Sequence, residues 1–290
     1  MQRRLFLIIG IVFVFLCAVV AVPRATSWWE RREAIAEQAS VRLPPASHFN
    51  VSSSFSFSSF SSSSSTSSTS SFSSFSSFSS FPPSSRSPAS SAKIGERSGE
   101  GEAGSVNWDV PFTSQAPAGN WDPPYDEACE EASVLMALRY FQAKPITSAE
   151  DADHGIVALV EANTALGFPI DDTAEQVRTL IESQDPTLRV SLMKDPAIEP
   201  LQDALRSGAL IIMPLAGREI GNPYFQTPGP LYHMLVVRGF TGDGYAITND
   251  PGTKRGKEFV YRWQTLLDAN HDWNGGDVGN GERVVVVVGK

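Results

Sequence analysis

Cysteine is scarce in this chain: among 290 residues only Cys17 and Cys129 carry a thiol, and Cys17 lies inside an apolar N-terminal run. Cys129 therefore stands alone downstream, and no disulfide can form within that part of the chain. There is no Cys-x-x-Cys spacing and no Cys/His cluster with zinc-ligand spacing, so neither a structural metal nor a cofactor is expected. Positive charge is short as well. The net charge of −9 combines +3 over residues 1–104 (nine Lys/Arg against six Asp/Glu) with −12 over the rest. An acidic domain of that kind repels phosphate backbones, which excludes nucleic acid from the expected partners. Aliphatic residues nearly vanish between Pro44 and Gly104, where serine dominates with Phe, Pro and Gly. Such a segment cannot bury enough apolar surface to offset the entropy of ordering it. What remains is length for one globular domain.

What is present begins with Met-Gln-Arg-Arg and an apolar run from Leu5 to Val22. Basic residues ahead of such a run favour leaving that end in the cytoplasm. Its length is near the lower limit for a spanning helix, about 17–25 residues. An uncleaved anchor and a cleaved signal both fit, with Val19-Val20-Ala21 as a loose cleavage site. Phe15-Leu16 ahead of Cys17 lacks the small residue that lipid attachment wants, so no lipidation is expected. Trp28 and Trp29 stand where an interfacial aromatic belt would sit. Ser27 and Glu30 have capping-box spacing for a short polar helix from Trp28 to about Arg42.

The expected organisation has three parts. Residues 1–43 are a signal or anchor with a juxtamembrane helix, residues 44–104 a Ser/Phe-rich linker, and residues 105–290 the domain, facing away from the cytoplasm. The linker repeats Phe-Ser-Ser through Phe72, Phe75 and Phe78 and reads as a passive tether, with glycosylation of its serines or cell-wall contact as alternatives.

Within the domain, apolar positions at Ala128, Ala132, Leu135, Met136 and Tyr140 predict a helix from Ala128 to Phe141. Cys129 thus falls at a helix N-terminus, a placement that favours thiolate. A helix capped by Asp172 or Thr173 runs to about Ser183, and Ile198 to Arg206 forms another, closed by Ser207-Gly208. Strands are expected at Ala209–Pro214, Met234–Phe240, Tyr245–Thr248, Phe259–Tyr261 and Val284–Val288, with a short helix near Trp263–Leu267. Helices first and strands later argue for an α+β fold with an antiparallel sheet.

Three residues converge if the strands either side of Gly242–Gly244 pair. His233 and Asp250 then lie together at the open end of a hairpin, and Asp250 can orient the imidazole while its other nitrogen faces Cys129. Each also has a plainer reading: Cys129 as a small buried hydrophobe, His233 as a satisfied core residue, Asp250 as a turn residue before Pro251. His48, His154 and His271 sit in polar surroundings and read as solvated surface residues, His154 in a loop.

Several motifs resemble the bacteriocin-processing (double-glycine leader) peptidase-like cysteine peptidases of the papain-like clan, many of them exported bacterial domains without a transporter. They are Val110-Pro-Phe-Thr-Ser-Gln115, Cys129-Glu-Glu-Ala-Ser133, Gly208-Ala-Leu-Ile-Ile-Met-Pro214, His233-Met-Leu-Val-Val-Arg-Gly-Phe240 and Thr248-Asn-Asp-Pro251. The resemblance implies a papain-like fold, Cys129 as nucleophile, His233 as base and Asp250 as its orienting group. It also implies Gln115 as a side-chain donor to the oxyanion hole and a peptide or protein substrate. Where the family often has Cys-Gly-Pro, this chain has Cys129-Glu130-Glu131. Carboxylates aimed at the thiol raise its pKa; facing solvent, or lining a site for basic substrates, they need not. A cell-wall amidase or acyl transferase, and a non-catalytic peptide-binding module on a tether, are the rival functions.

Overall fold

The computed structural model describes residues 30–48 and 104–290, so the Leu5–Val22 run and nearly all of the Ser/Phe-rich segment lie outside the described residues. Residues 30–40 form helix α1. The remaining elements are β1 (Val106–Asn107), α2 (Cys129–Phe141), α3 (Ala149–Ala165), α4 (Ala174–Gln184), β2 (Arg189–Lys194), α5 (Ile198–Arg206) and β3 (Leu210–Ala216). After them come β4 (Tyr232–Phe240), β5 (Tyr245–Asn249), β6 (Phe259–Arg262), α6 (Trp263–Asp268) and β7 (Val284–Gly289). The strands pair antiparallel in the order β2-β7-β3-β4-β5-β6, with β1 added to β4. This is the α+β arrangement expected, with the helices α2 to α4 laid on an antiparallel sheet.

Strand alternation divides the core into two layers. Leu210, Ile212, Met234, Val236, Val286 and Val288 face Ala132, Met136, Ile156 and Val177 of the helices α2 to α4. Ile211, Met213, Leu215, Leu235 and Val237 face the opposite way, toward Leu201 and Leu205 of α5 and Trp263 and Leu266 of α6. The sheet is buried on both faces, which is why β3 and β4 read as continuous apolar runs. Among the described residues no helix is long and apolar enough to cross a membrane.

Strands β1 and β2 are not among those expected, and two further findings differ from the sequence reading. His154, expected in a loop, lies exposed on α3, whose N-cap Ser148 accepts from Asp151 N–H and whose buried stripe is Ala152, Ile156, Leu159 and Asn163. Acidic residues and Gly155 interrupt that stripe and mask its helical period. Second, the folded unit begins before Ser105, because residues 30–48 pack on the domain. Gln38 Oε1 accepts the Val260 N–H at 3.0 Å on the end strand β6, and Glu37 accepts from Tyr245 Oη at 2.9 Å and Arg262 at 2.6 Å. Ser47, assigned to the linker, forms a parallel bridge with Trp108, its N–H donating to Asn107 O and its carbonyl accepting from Asp109 N–H. Asn107 Nδ2 donates to Pro44 O at 2.9 Å. Edge-strand donors need partners, and α1 supplies one.

Candidate active site

Strand pairing and side-chain hydrogen bonds bring distant motifs together. The β4–β5 hairpin pairs Val236 with Asn249, so the chain just beyond β5 passes the start of β4. Asn249 Nδ2 then donates to the carbonyls of Val110 and Pro111, and the Gln115 N–H donates to Pro251 O at 2.9 Å. The Val110–Gln115 and Thr248–Pro251 motifs are thereby bound to each other. The N-terminus of α2 lies against β4, where Ser133 Oγ donates to Met234 O at 3.3 Å.

His233 and Asp250 meet as the hairpin argument expects. Nε2 lies 2.8 Å from Asp250 Oδ1, and both side chains are buried. The same Oδ1 accepts the Gly252 N–H at 2.9 Å, while Oδ2 accepts from Tyr261 Oη at 2.6 Å and Asn222 Nδ2 at 2.9 Å. Burial pushes the Asp250 pKa up, but the His233 charge and hydrogen bond, with the Tyr261 and Gly252 donors, outweigh it and hold the carboxyl below its ordinary value. Phe225 packs edge-on to the imidazole at 5.3 Å between ring centroids. Gly252 passes so close that a Cβ there would stand 2.9 Å from His233 Cε1. With Nε2 committed to Asp250, Nδ1 is the nitrogen left for a thiol.

Cys129 opens α2, as expected, with 5% of its surface exposed. Its sulfur lies against the backbone N–H of Met234, the residue after His233. The thiol donates to Glu130 Oε2 at 3.0 Å, and no hydrogen bond joins it to His233 among the described residues. Glu130 and Glu131 do not face solvent; they are 1% and 4% exposed. Burial pushes the Cys129 pKa well above 9, and the Glu130 charge, its hydrogen bond and Glu131 add to that, with the Met234 N–H opposing. Burial likewise raises the Glu130 carboxyl well above its ordinary value, helped by Glu131 and Asp172. Burial lifts Glu131 and Asp172 to about 7 each. Burial and the Glu130 contact both favour the protonated thiol.

Gln115 is buried beside the site, with its side-chain Nε2 donating to the carbonyls of Tyr125 (2.9 Å) and Asp126 (3.0 Å). Both amide hydrogens are thus occupied by the loop ahead of α2, and serving an oxyanion would require one to turn. His271 and His48 lie apart, His271 Nδ1 against Gly281 O at 3.0 Å and His48 beside Asp109. No group of His, Cys, Asp or Glu fit to hold a metal occurs among the described residues.

Sequence reasoning missed Asn222 and Tyr261. Asn222 sits in a Gly-Asn-Pro turn and Tyr261 in an expected strand, and neither local pattern announces a contact with Asp250. Only the β5–β6 register, which pairs Ala246 with Tyr261, brings the phenol to that carboxylate.

A model of the Peptidase_C39 like family matches residues 108–275, a span that includes Gln115, Cys129, His233 and Asp250. A crystal structure of a proposed C39-like peptidase from Bacillus anthracis is similar at 14% identity and a TM-score of 0.41, covering 63% of this chain and 95% of that one. No curated protein matches.

Proposed function

The chain belongs to the Peptidase_C39 like family, and from that premise we propose that it is a thiol peptidase acting outside the cytoplasm, with Cys129 as nucleophile. The observation that carries the reading is the buried His233–Asp250 pair at 2.8 Å, one residue along β4 from the Met234 N–H that touches the Cys129 sulfur. The chemistry requires the thiol to leave Glu130 and come within hydrogen-bond reach of Nδ1, the His233 nitrogen that Asp250 does not hold. His233 then takes the thiol proton, and Sγ attacks the substrate carbonyl to give a tetrahedral oxyanion. The Cys129 N–H at the start of α2 and a turned Gln115 amide are the proposed oxyanion donors. The imidazolium, held by Asp250, returns its proton to the leaving amine. Water deprotonated by His233 then hydrolyses the thioester and frees the enzyme.

The N-terminal run is proposed to carry the domain across the membrane, remaining as an anchor or being cleaved. Removal of a double-glycine leader is one form the activity can take; hydrolysis or transfer of a cell-wall amide is another. The Cys129–Glu130 hydrogen bond favours a second reading, a peptide-binding module whose thiol stays protonated.

A Cys17→Ser background leaves Cys129 as the only thiol. In it, the detergent-solubilised full-length chain is treated with a thiol-directed covalent probe and with a panel of leader peptides, other peptides and cell-wall fragments. Labelling of Cys129 that is slowed in His233→Ala, together with turnover that Cys129→Ala abolishes, is the expected outcome. Labelling unaffected by His233→Ala would sink the nucleophile assignment.

A further inference from the structure

We propose that Tyr261 and Asn222 are positioning residues for the His233 imidazole, acting through Asp250. The proposal rests on the peptidase reading for its kinetic consequence only. Asp250 is fully buried, and its two oxygens have separate duties. Oδ1 takes the imidazole Nε2 and the Gly252 N–H; Oδ2 takes the Tyr261 phenol and the Asn222 amide. A carboxylate turns readily about its last side-chain torsion. Two donors on Oδ2 fix that torsion, so that Oδ1 alone is presented to the ring.

The donors are themselves oriented. Asn222 Oδ1 accepts the Tyr224 N–H at 2.9 Å, which settles the amide so that Nδ2 points at Asp250 and, at 2.8 Å, at Tyr261 Oη. Because the phenol oxygen accepts from Asn222, its single proton is directed to Asp250 Oδ2. The two donors come from different parts of the chain, the loop between β3 and β4 and strand β6, so the carboxylate is braced from two elements. A carboxylate held in this way keeps the proton on imidazole Nε2 and the lone pair on Nδ1, the form a thiol base needs. The competing role for Tyr261 is packing, since its ring lies 4.7 Å from Phe259. Tyr261→Phe preserves that packing and removes only the donor.

The test uses the full-length chain in the Cys17→Ser background, labelled with nitrogen-15. Side-chain nitrogen shifts of His233 report its tautomer, solvent exchange of its Nε2 proton reports how firmly Asp250 holds it, and kcat and KM are measured on any peptide turned over. Tyr261→Phe and Asn222→Ala each should speed Nε2-proton exchange about 10-fold or more and admit the other tautomer. Each should lower kcat by about 10-fold with KM unchanged, the signature of misplacement without lost binding. Thr248→Val is the control: its hydroxyl is fully buried and bonds Phe259 O at 2.8 Å, bridging β5 and β6 without touching Asp250. Wild-type tautomer and exchange in Tyr261→Phe and Asn222→Ala overturn the proposal, as does the same change in Thr248→Val. If no substrate is turned over, the peptidase reading fails while the nitrogen measurements still decide this one.

Discussion

Replacing Glu130 with glutamine should make Cys129 a faster nucleophile at alkaline pH. The wild-type thiol donates to Glu130 Oε2 at 3.0 Å inside a buried site, and the carboxylate charge opposes ionisation of the sulfur. Unit charges about 4 Å apart interact by about 4 kcal/mol at an effective dielectric of 20. At about 1.4 kcal/mol per decade, that is about three decades of thiolate population. A less basic thiolate is also a weaker nucleophile, with a Brønsted coefficient of about 0.4–0.5, so about half of the logarithmic gain is lost. The net expectation is alkylation about 30-fold faster, by the same argument from charge and nucleophilicity. The assay is the iodoacetamide rate from pH 5 to 10, in the Cys17→Ser background. The two proteins should differ most at high pH and converge at low pH, where Glu130, its pKa raised by burial, Glu131 and Asp172, carries a proton and no charge. Equal rates throughout, or a slower variant, refute the idea that this carboxylate restrains the thiol.

Stability should fall as pH rises through neutrality. Glu131 and Asp172 move from ordinary values of 4.5 and 3.8 to about 7 in the fold, so their contribution is full below about pH 4 and is lost as pH passes 7. Thermal unfolding should therefore occur at higher temperature at pH 5.5 than at 8.5, and Glu131→Gln with Asp172→Asn should flatten the difference. The lowered Asp250 pKa acts in the opposite sense, and only at more acid pH. Gly239→Ala would place a Cβ 2.1 Å from Val106 O, so β1 must leave β4. Overpacking of this kind costs about 1–3 kcal/mol, and a melting point lowered by several degrees checks it. Gln38→Ala removes the acceptor of the Val260 N–H. A hydrogen bond worth about 1 kcal/mol predicts amide exchange at Val260 about 5-fold faster.

The parts of the fold that were legible in the sequence are those set by short-range patterns. Ile198–Arg206 stands out through its amphipathic period and the Ser207-Gly208 stop, and β3 and β4 through unbroken burial. The His233–Asp250 pair was legible because a tight hairpin fixes which residues meet at its open end. β2 escaped because Arg189 and Lys194 end a strand that alternates between exposed and partly buried residues and resembles surface loop. The direction of Glu130 was open, since helix spacing alone does not say whether a first-turn carboxylate turns out to water or back to the thiol. Asn222, Tyr261 and the docking of residues 30–48 depend on contacts between distant parts of the chain, which no local pattern encodes.

The Ser47–Trp108 bridge changes what the Ser/Phe-rich segment can do. His48 and Gly104, which bracket that segment in the sequence, stand one residue after Ser47 and four before Trp108. In circuit terms the segment is wired in parallel with the fold, not in series between it and the N-terminal run. If Leu5–Val22 is an anchor, the leash is residues 23–29, seven residues that reach roughly 25 Å at about 3.3–3.6 Å each. Doubling or deleting the serine tract would leave that radius unchanged, and the proposed peptidase would patrol only a thin shell above the bilayer.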